Sequence, residues 1–265
     1  MNQTKDVFRR IFIRFMPFLL LLTLLGACRA PEIQQDPDVI PISVFYTPAL
    51  RPMISAFQAC AGEQPQTVLF TQELPSDSIQ DESSGIAFHL GEPAGELPYA
   101  AQITWETLAV IVNADNPVET LSAEQLDGIY SGEITNWEPI AQSTAAVQIW
   151  VYPQGNELTR IVDEALLAGQ AVSTQALLAA DPAGMISGVG SDPGAVGVIP
   201  SAWLEQQSPA KAQVKAVHLD RALAMSLRRP VLAVTPAEPQ GPERDFLSCL
   251  QNGAGQTVLD KRYSP

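Results

Sequence analysis

From residue 39 onward, short β-branched runs alternate with segments whose apolar residues fall at helical spacing. Val39–Tyr46 reads as a strand, and Thr47-Pro48 then opens a helix carrying Leu50, Met53, Ile54 and Phe57 on one side. Thr67–Phe70 and Gly85–His89 are two further short strands around the polar segment Thr71–Ser84, and Leu108–Asn113 is another. Val147–Val151 predicts a strand, after which Asn156 caps a helix with Leu158, Ile161, Val162, Ala165 and Leu166 on one face, ending at Gly169. Helices are expected over Val172–Ala180 and Pro182–Val189. The turn Asp192-Pro193-Gly194 leads into a buried strand, Ala195–Ile199. Pro230–Val234 is a late strand, and Pro242–Leu250 and Gly253–Arg262 close the chain as helices. Such alternation predicts an α/β fold with parallel strands and right-handed crossovers.

One stretch, Asn113–Trp137, carries the densest local signals. Ser122 stands at an N-cap position with Gln125 three residues on, which makes a capping box; Leu121, Leu126, Ile129 and Tyr130 line one side, and Gly132 tolerates a left-handed stop. By periodicity alone this is a capped amphipathic helix and nothing more.

The string itself, N-P-V followed by L-S-x-E-Q-L-x-x-I-Y-S-G-x-I-T-N-W, resembles the signature of phosphate-type substrate-binding proteins of ABC transporters, the PstS-like family with the type II periplasmic-binding-protein fold. Gly194–Pro200 (GAVGVIP), Arg228–Leu232 (RRPVL) and Phe246–Pro265 (FLSCLQNGAGQTVLDKRYSP) resemble later stretches of that family in the same order. The resemblance implies two α/β lobes joined by two crossing strands near Val112 and Leu227. Residues 42–112 and 227–265 would form one lobe and 113–226 the other, with a small anionic or polar solute between them. It also implies a membrane permease as partner, no cofactor, and a monomer.

The first residues add a targeting expectation. Lys5, Arg9, Arg10 and Arg14 precede the apolar run Phe15–Leu25, too short to span a bilayer comfortably but suited to a signal-peptide core. Leu25-Gly26-Ala27-Cys28 resembles a bacterial lipobox, so residues 1–27 are expected to be removed and Cys28 lipidated. The Pro-, Gln- and Asp-rich segment 28–41 reads as a tether to the extracytoplasmic face of the cell membrane. The other cysteines, Cys60 and Cys249, fall in regions that the family places in one lobe, which implies a disulfide; two buried thiols are the alternative.

With 46% hydrophobic residues and a formal net charge of -14, the chain has material for a core and little affinity for nucleic acid. Its two histidines, His89 and His218, match no metal spacing, and no hydrolase, Walker or dinucleotide motif is present, so no catalytic or metal site is expected. Anion capture needs only backbone N–H groups at helix starts, with hydroxyls nearby. Two loops offer these: Tyr46, Thr47 and Ala49 after the first strand, and Tyr152, Gln154, Gly155, Asn156 and Thr159 after the strand ending at Val151. His89 ends a third strand beside them. Ordinary helix capping is the alternative for both loops. The second loop lacks the arginine and S-G-T of the family and adds Glu157, which implies weaker phosphate binding or a different ligand. A binding-fold sensor or interaction lipoprotein without a transport role is the competing expectation.

Overall fold

The strand Tyr99–Asn113 changes partners part-way along its length. As far as Thr107 it pairs antiparallel with Arg228–Thr235, and from Leu108 to Val112 it pairs antiparallel with Ala195–Pro200. At the changeover the Leu108 N–H donates to the carbonyl of Leu227. The sequence reading placed a strand only from Leu108. The earlier half mixes Ala, Gln, Thr and Glu, so it has no clean apolar period, and its strand geometry comes from the ladder with Arg228–Thr235.

The structure is a computed structural model describing residues 39–79, 84–93, 99–167, 169–206 and 213–263. The expected signal peptide and lipidated Cys28 lie outside these residues. The strands are β1 (Ile40–Tyr46), β2 (Thr67–Glu73), β3 (Ile86–Leu90), β4 (Tyr99–Asn113), β5 (Thr120–Leu121), β6 (Gln148–Val151), β7 (Leu177–Leu178), β8 (Ala195–Pro200), β9 (Val214–Ala216), β10 (His218–Leu219) and β11 (Arg228–Thr235). The helices are α1 (Ile54–Gly62), α2 (Ala123–Ser131), α3 (Glu138–Ala141), α4 (Glu157–Val162), α5 (Pro182–Ser191), α6 (Arg221–Ser226), α7 (Gly241–Asn252) and α8 (Ala254–Leu259). β1 begins inside the expected tether, because Ile40 already pairs with Thr67.

The main sheet has the order β2-β1-β3-β11-β4-β8-β6-β7, with β9 on the far half of β4. β1 is parallel to β2 and β3, and β6 is parallel to β7 and β8, so two parallel groups flank the antiparallel centre. Two α/β lobes result, with β4 running through both.

On one side α1 packs against α7 and α8. Phe57 stacks obliquely on Phe88 at 4.7 Å and on Phe246 at 6.1 Å between ring centroids. Cys60 and Cys249 are bonded, with Cα atoms 5.7 Å apart, which ties α1 to α7. On the other side α2 has its capping box: the Ser122 side chain accepts from the Gln125 N–H while the Gln125 side chain accepts from the Ser122 N–H. Gly132 ends that helix at φ 84°. Trp137 is fully buried and donates its indole N–H to the Gly194 carbonyl at 2.9 Å.

The helix expected over Val172–Ala180 does not form. Ser173 and Gln175 turn the backbone instead: the Ser173 N–H donates to the Tyr130 carbonyl, and the Ala179 N–H donates to Val151, which draws Leu177–Leu178 alongside β6 as an edge strand. Hydrogen bonds to α2 and β6 replace the helical ones, so the apolar period of this segment does not decide its structure.

Candidate functional site

Strand β6 ends at Val151, and the loop after it turns at Gly155 with φ 86°, where a Cβ would meet nothing within 4 Å. Asn156 then caps α4, its side-chain oxygen accepting from the Leu158 N–H at 2.9 Å. Opposite lies the end of β1, where Pro48 starts a 3₁₀ turn and Thr47 is fully buried. Thr47 was expected to cap its own helix or a ligand. Its side chain makes no cap bond to that helix, and its hydroxyl donates to Glu157 Oε1. The first N–H of α4, that of Glu157, donates to Ser76 Oγ at 3.3 Å.

Between these loops lies a cavity of about 360 Å³. His89 and Leu90 at the end of β3 line one wall with Ser76; Gln154, Gly155, Asn156 and Thr159 line the other. These are most of the positions picked from the sequence. Three picked residues lie elsewhere. Tyr46 is buried with its ring 6.1 Å from Phe57 in the core. Ala49 is buried under Trp203, whose indole N–H takes the Ala49 carbonyl at 3.1 Å. Tyr152 donates its hydroxyl to the Val198 carbonyl at 2.8 Å, inside the β6 side of the molecule. A tyrosine flanking a loop looks available in sequence, but both rings contribute more apolar surface to the core than to a cleft.

The electrostatics of the cavity follow from burial. Loss of solvation pushes the Glu157 carboxyl up to about 7, opposed by hydrogen bonds from Thr47 and the Leu90 N–H and by the charge of Arg160. His89, 6% exposed, is pushed down to about 4 by the same loss of solvation, so its imidazole is neutral at pH 7. Arg160 lines the rim, but it is engaged by Glu164 at 3.1 Å and by the Glu92 carbonyl at 3.3 Å. Sequence reasoning missed Ser76, which sits in a polar segment without motif, and missed that Glu157 reaches across the cavity. The second was readable as charge but not as direction. Among the described residues no three His, Cys, Asp or Glu side chains converge as a metal site requires.

The fold is that of known binding proteins. A Clostridium perfringens protein described as a phosphate ABC transporter substrate-binding protein, solved with bound phosphate, superposes with a TM-score of 0.74 at 20% identity, covering 84% of this chain and 98% of that one. A phosphate transport receptor of Vibrio cholerae matches with a TM-score of 0.62 at 19% identity over 84% of this chain and 98% of its own. The CcmR regulatory domain of Synechocystis, solved with 2-PG, matches at 0.61 and 12% identity, over 80% of this chain and 95% of its own. No curated protein matches the sequence. The resemblance first read from the Asn113–Trp137 string therefore holds at the level of fold. The model of the PBP superfamily domain matches residues 100–238, just over half of the chain, and the chain belongs to that family.

Proposed function

We propose that this chain is an extracytoplasmic solute-binding protein of an ABC transporter, held to the cell membrane by lipid on Cys28. Its ligand would be phosphate, another small oxyanion or a small polar solute, taken into the cavity between the lobes and delivered to a permease. The observation that carries this reading is the cavity itself. It is lined jointly by His89 at the end of β3 and by Gln154, Gly155, Asn156 and Thr159 after β6, on a fold whose solved relatives include proteins described as phosphate transport receptors. Ligands of α/β sheets gather at strand carboxyl ends, where both of these groups lie. The change of β4 partners at Thr107–Leu108, opposite Leu227, supports lobes formed by 42–112 with 227–265 and by 113–226. No helix among the described residues is long and apolar enough to cross a membrane; the reading places attachment on the lipidated Cys28. Cys28→Ser is expected to move the protein out of the membrane fraction.

One observation favours a second reading, a sensor or interaction lipoprotein without transport. The hydroxyl and N–H groups of the cavity are already engaged from within, Thr47 by Glu157 and the Glu157 N–H by Ser76. The fold also serves in a regulatory domain, that of CcmR. Calorimetric titration of the detergent-solubilised protein with phosphate and a panel of small oxyanions separates the readings. Saturable binding that Asn156→Ala weakens supports the receptor. No heat with any of them supports the second reading, and tight phosphate binding that survives Asn156→Ala with Thr47→Ala overturns the placement of the site.

A further inference from the structure

Polar side chains of the two lobes, taken as 42–112 with 227–265 and as 113–226, reach across to one another at three places. The central one is Glu157, on α4 of the second lobe. Its carboxyl receives the Thr47 hydroxyl and the Leu90 N–H, both from the first lobe. Its own N–H donates to Ser76 Oγ at 3.3 Å, in the first lobe as well. One residue of α4 is thus bonded to the ends of β1 and β3 and to the segment that follows β2.

The second place is Arg51, in the 3₁₀ turn Pro48–Met53. Glu73 grips its guanidinium through two bonds of 2.7 Å within the first lobe. So held, Arg51 stands 5.1 Å over the ring of Trp203 and 3.4 Å from Asp181 Oδ2, both of the second lobe. The third place is the cavity rim, where Arg229 reaches Glu164 at 3.3 Å and Arg160 reaches the Glu92 carbonyl at 3.3 Å. These crossings differ in weight. Arg160 and Glu164 are about half exposed, and ion pairs so exposed contribute little. The Arg51 contact to Asp181 is long for a hydrogen bond. The Glu157 carboxyl has lost its solvation, and there a hydrogen bond to a carboxyl is stronger than at the surface. Thr47 is fully buried, so its hydroxyl meets no competing water while the contact holds.

We propose that Glu157 is a built-in occupant of the cleft: its side chain clasps the two lobes together, and a solute enters only by displacing it from Thr47 and Leu90. A solute held between two lobes must link groups of both, and here a side chain of one lobe already takes donors of the other. Closure is then the work of the chain itself. A solute gains only the difference between its own contacts and those of Glu157, because a ligand shifts a conformational equilibrium by no more than its differential affinity. The inference rests on the reading of this cavity as the solute cleft. Its test reads the separation of the lobes in the solute-free chain, so either can fail while the other holds.

The test uses the full chain in detergent, stripped of carried-over solute by urea and refolded with its disulfide intact. Nitroxide labels replace the exposed Ser78 of the first lobe and the exposed Thr174 of the second, attached through p-acetylphenylalanine so that the cysteines stay untouched. Pulsed electron spin resonance is expected to give one short distance for the otherwise unsubstituted chain and a distance longer by more than about 2 Å for Glu157→Ala. Thr47→Val keeps the volume and leaves Leu90 its acceptor. Its Leu90 amide should exchange with solvent about tenfold faster, because the lobes part more often. Glu164→Ala, at the rim, should change neither readout. Should Glu157→Ala fail to fold by circular dichroism, the Leu90 exchange rate in Thr47→Val decides. A long distance in the unsubstituted chain overturns the inference, as does a Glu157→Ala distance equal to it. It is equally overturned by an unchanged Leu90 rate in Thr47→Val, or by Glu164→Ala opening the lobes as far as Glu157→Ala, which would put the clasp at the rim.

Discussion

Thr47 and Glu157, 110 positions apart in the chain, meet through a hydrogen bond from hydroxyl to carboxyl across the candidate cleft. The family resemblance read from the sequence implies an anionic ligand at these two loops. Here a carboxyl of the chain itself takes the hydroxyl, and the Leu90 N–H is directed to the same group.

The first prediction concerns that carboxyl. When ionised it repels an oxyanion, and in either state it competes for the donors an oxyanion needs. Glu157→Gln keeps the shape, removes the charge and adds an N–H donor, so phosphate affinity should rise on the order of tenfold at pH 8, equivalent to about 1.4 kcal/mol. Calorimetry on wild type and variant checks this, and unchanged or weaker phosphate binding by the variant would remove Glu157 from the site.

The second prediction is a loss of stability with rising pH. An acid with a higher pKa folded than unfolded binds more protons in the native state between the two values, so stability falls as pH rises through that window. Glu106 and Glu157 both move from 4.5 to about 7, chiefly through lost solvation. Each is therefore expected to cost the fold up to about 3 kcal/mol across that range. Glu106 fits a neutral acid in its geometry as well. Its Oε1 accepts from the Ser201 hydroxyl at 2.7 Å and the Thr107 N–H at 2.9 Å, while the buried Oε2 has no described partner and is free to carry the proton. His89 works the other way: its pKa falls from 6.5 to about 4 in the fold, so its contribution is complete above pH 6.5 and is lost as pH falls through 4. The thermal midpoint should thus be lower at about pH 8.5 than at about pH 6.5, with Glu106→Gln removing a large part of the difference. A midpoint that rises over this interval contradicts both carboxyl assignments.

Most elements were legible because buried strands such as Ala195–Pro200 are continuous apolar runs, and caps such as Ser122 and Asn156 announce helices locally. Tyr99–Thr107 was not, since its strand geometry comes from a ladder with Arg228–Thr235 far away in sequence, and Leu177–Leu178 was lost because it forms only by pairing with β6. At the cleft the loop positions were readable, but the direction of each side chain was not. Tyr46 and Tyr152 turned inward to the core, and Glu157 turned across to Thr47. A preference for burial can be read from residue type; the neighbour that satisfies a polar group depends on the assembled topology.

The third prediction tests the Cys60–Cys249 bond. It closes a separation of 189 residues and links α1 to α7, whose Phe57 and Phe246 already pack together. Replacing both cysteines by serine should lower stability by roughly 2 to 5 kcal/mol. Peptide mapping without reductant should recover the two segments joined, whereas two free thiols in freshly isolated protein would be incompatible with the bond.

The last prediction separates two glycines that sequence alone treats alike. A Cβ on Gly194 would lie 1.9 Å from the Ala146 carbonyl oxygen, a backbone atom that cannot swing aside. The same residue anchors its surroundings: its carbonyl accepts from Trp137 at 2.9 Å and from the Gln148 N–H at 3.0 Å, and its own N–H donates to Asp192 at 2.8 Å. Gly194→Ala must therefore push apart the entry to β8 and the segment leading into β6, disturbing the buried Trp137 as it does so. A cost of about 3 kcal/mol or more is expected, at the upper end for overpacking. Gly155 has the strained φ of 86° but open space around it, so Gly155→Ala should cost only about 1 to 2 kcal/mol, the conformational term alone. Urea unfolding of the two variants gives the comparison directly. If Gly194→Ala proved no more costly than Gly155→Ala, the close approach of Ala146 to β8 would be wrong, and with it the packing that aligns β6 and its loop on the cleft.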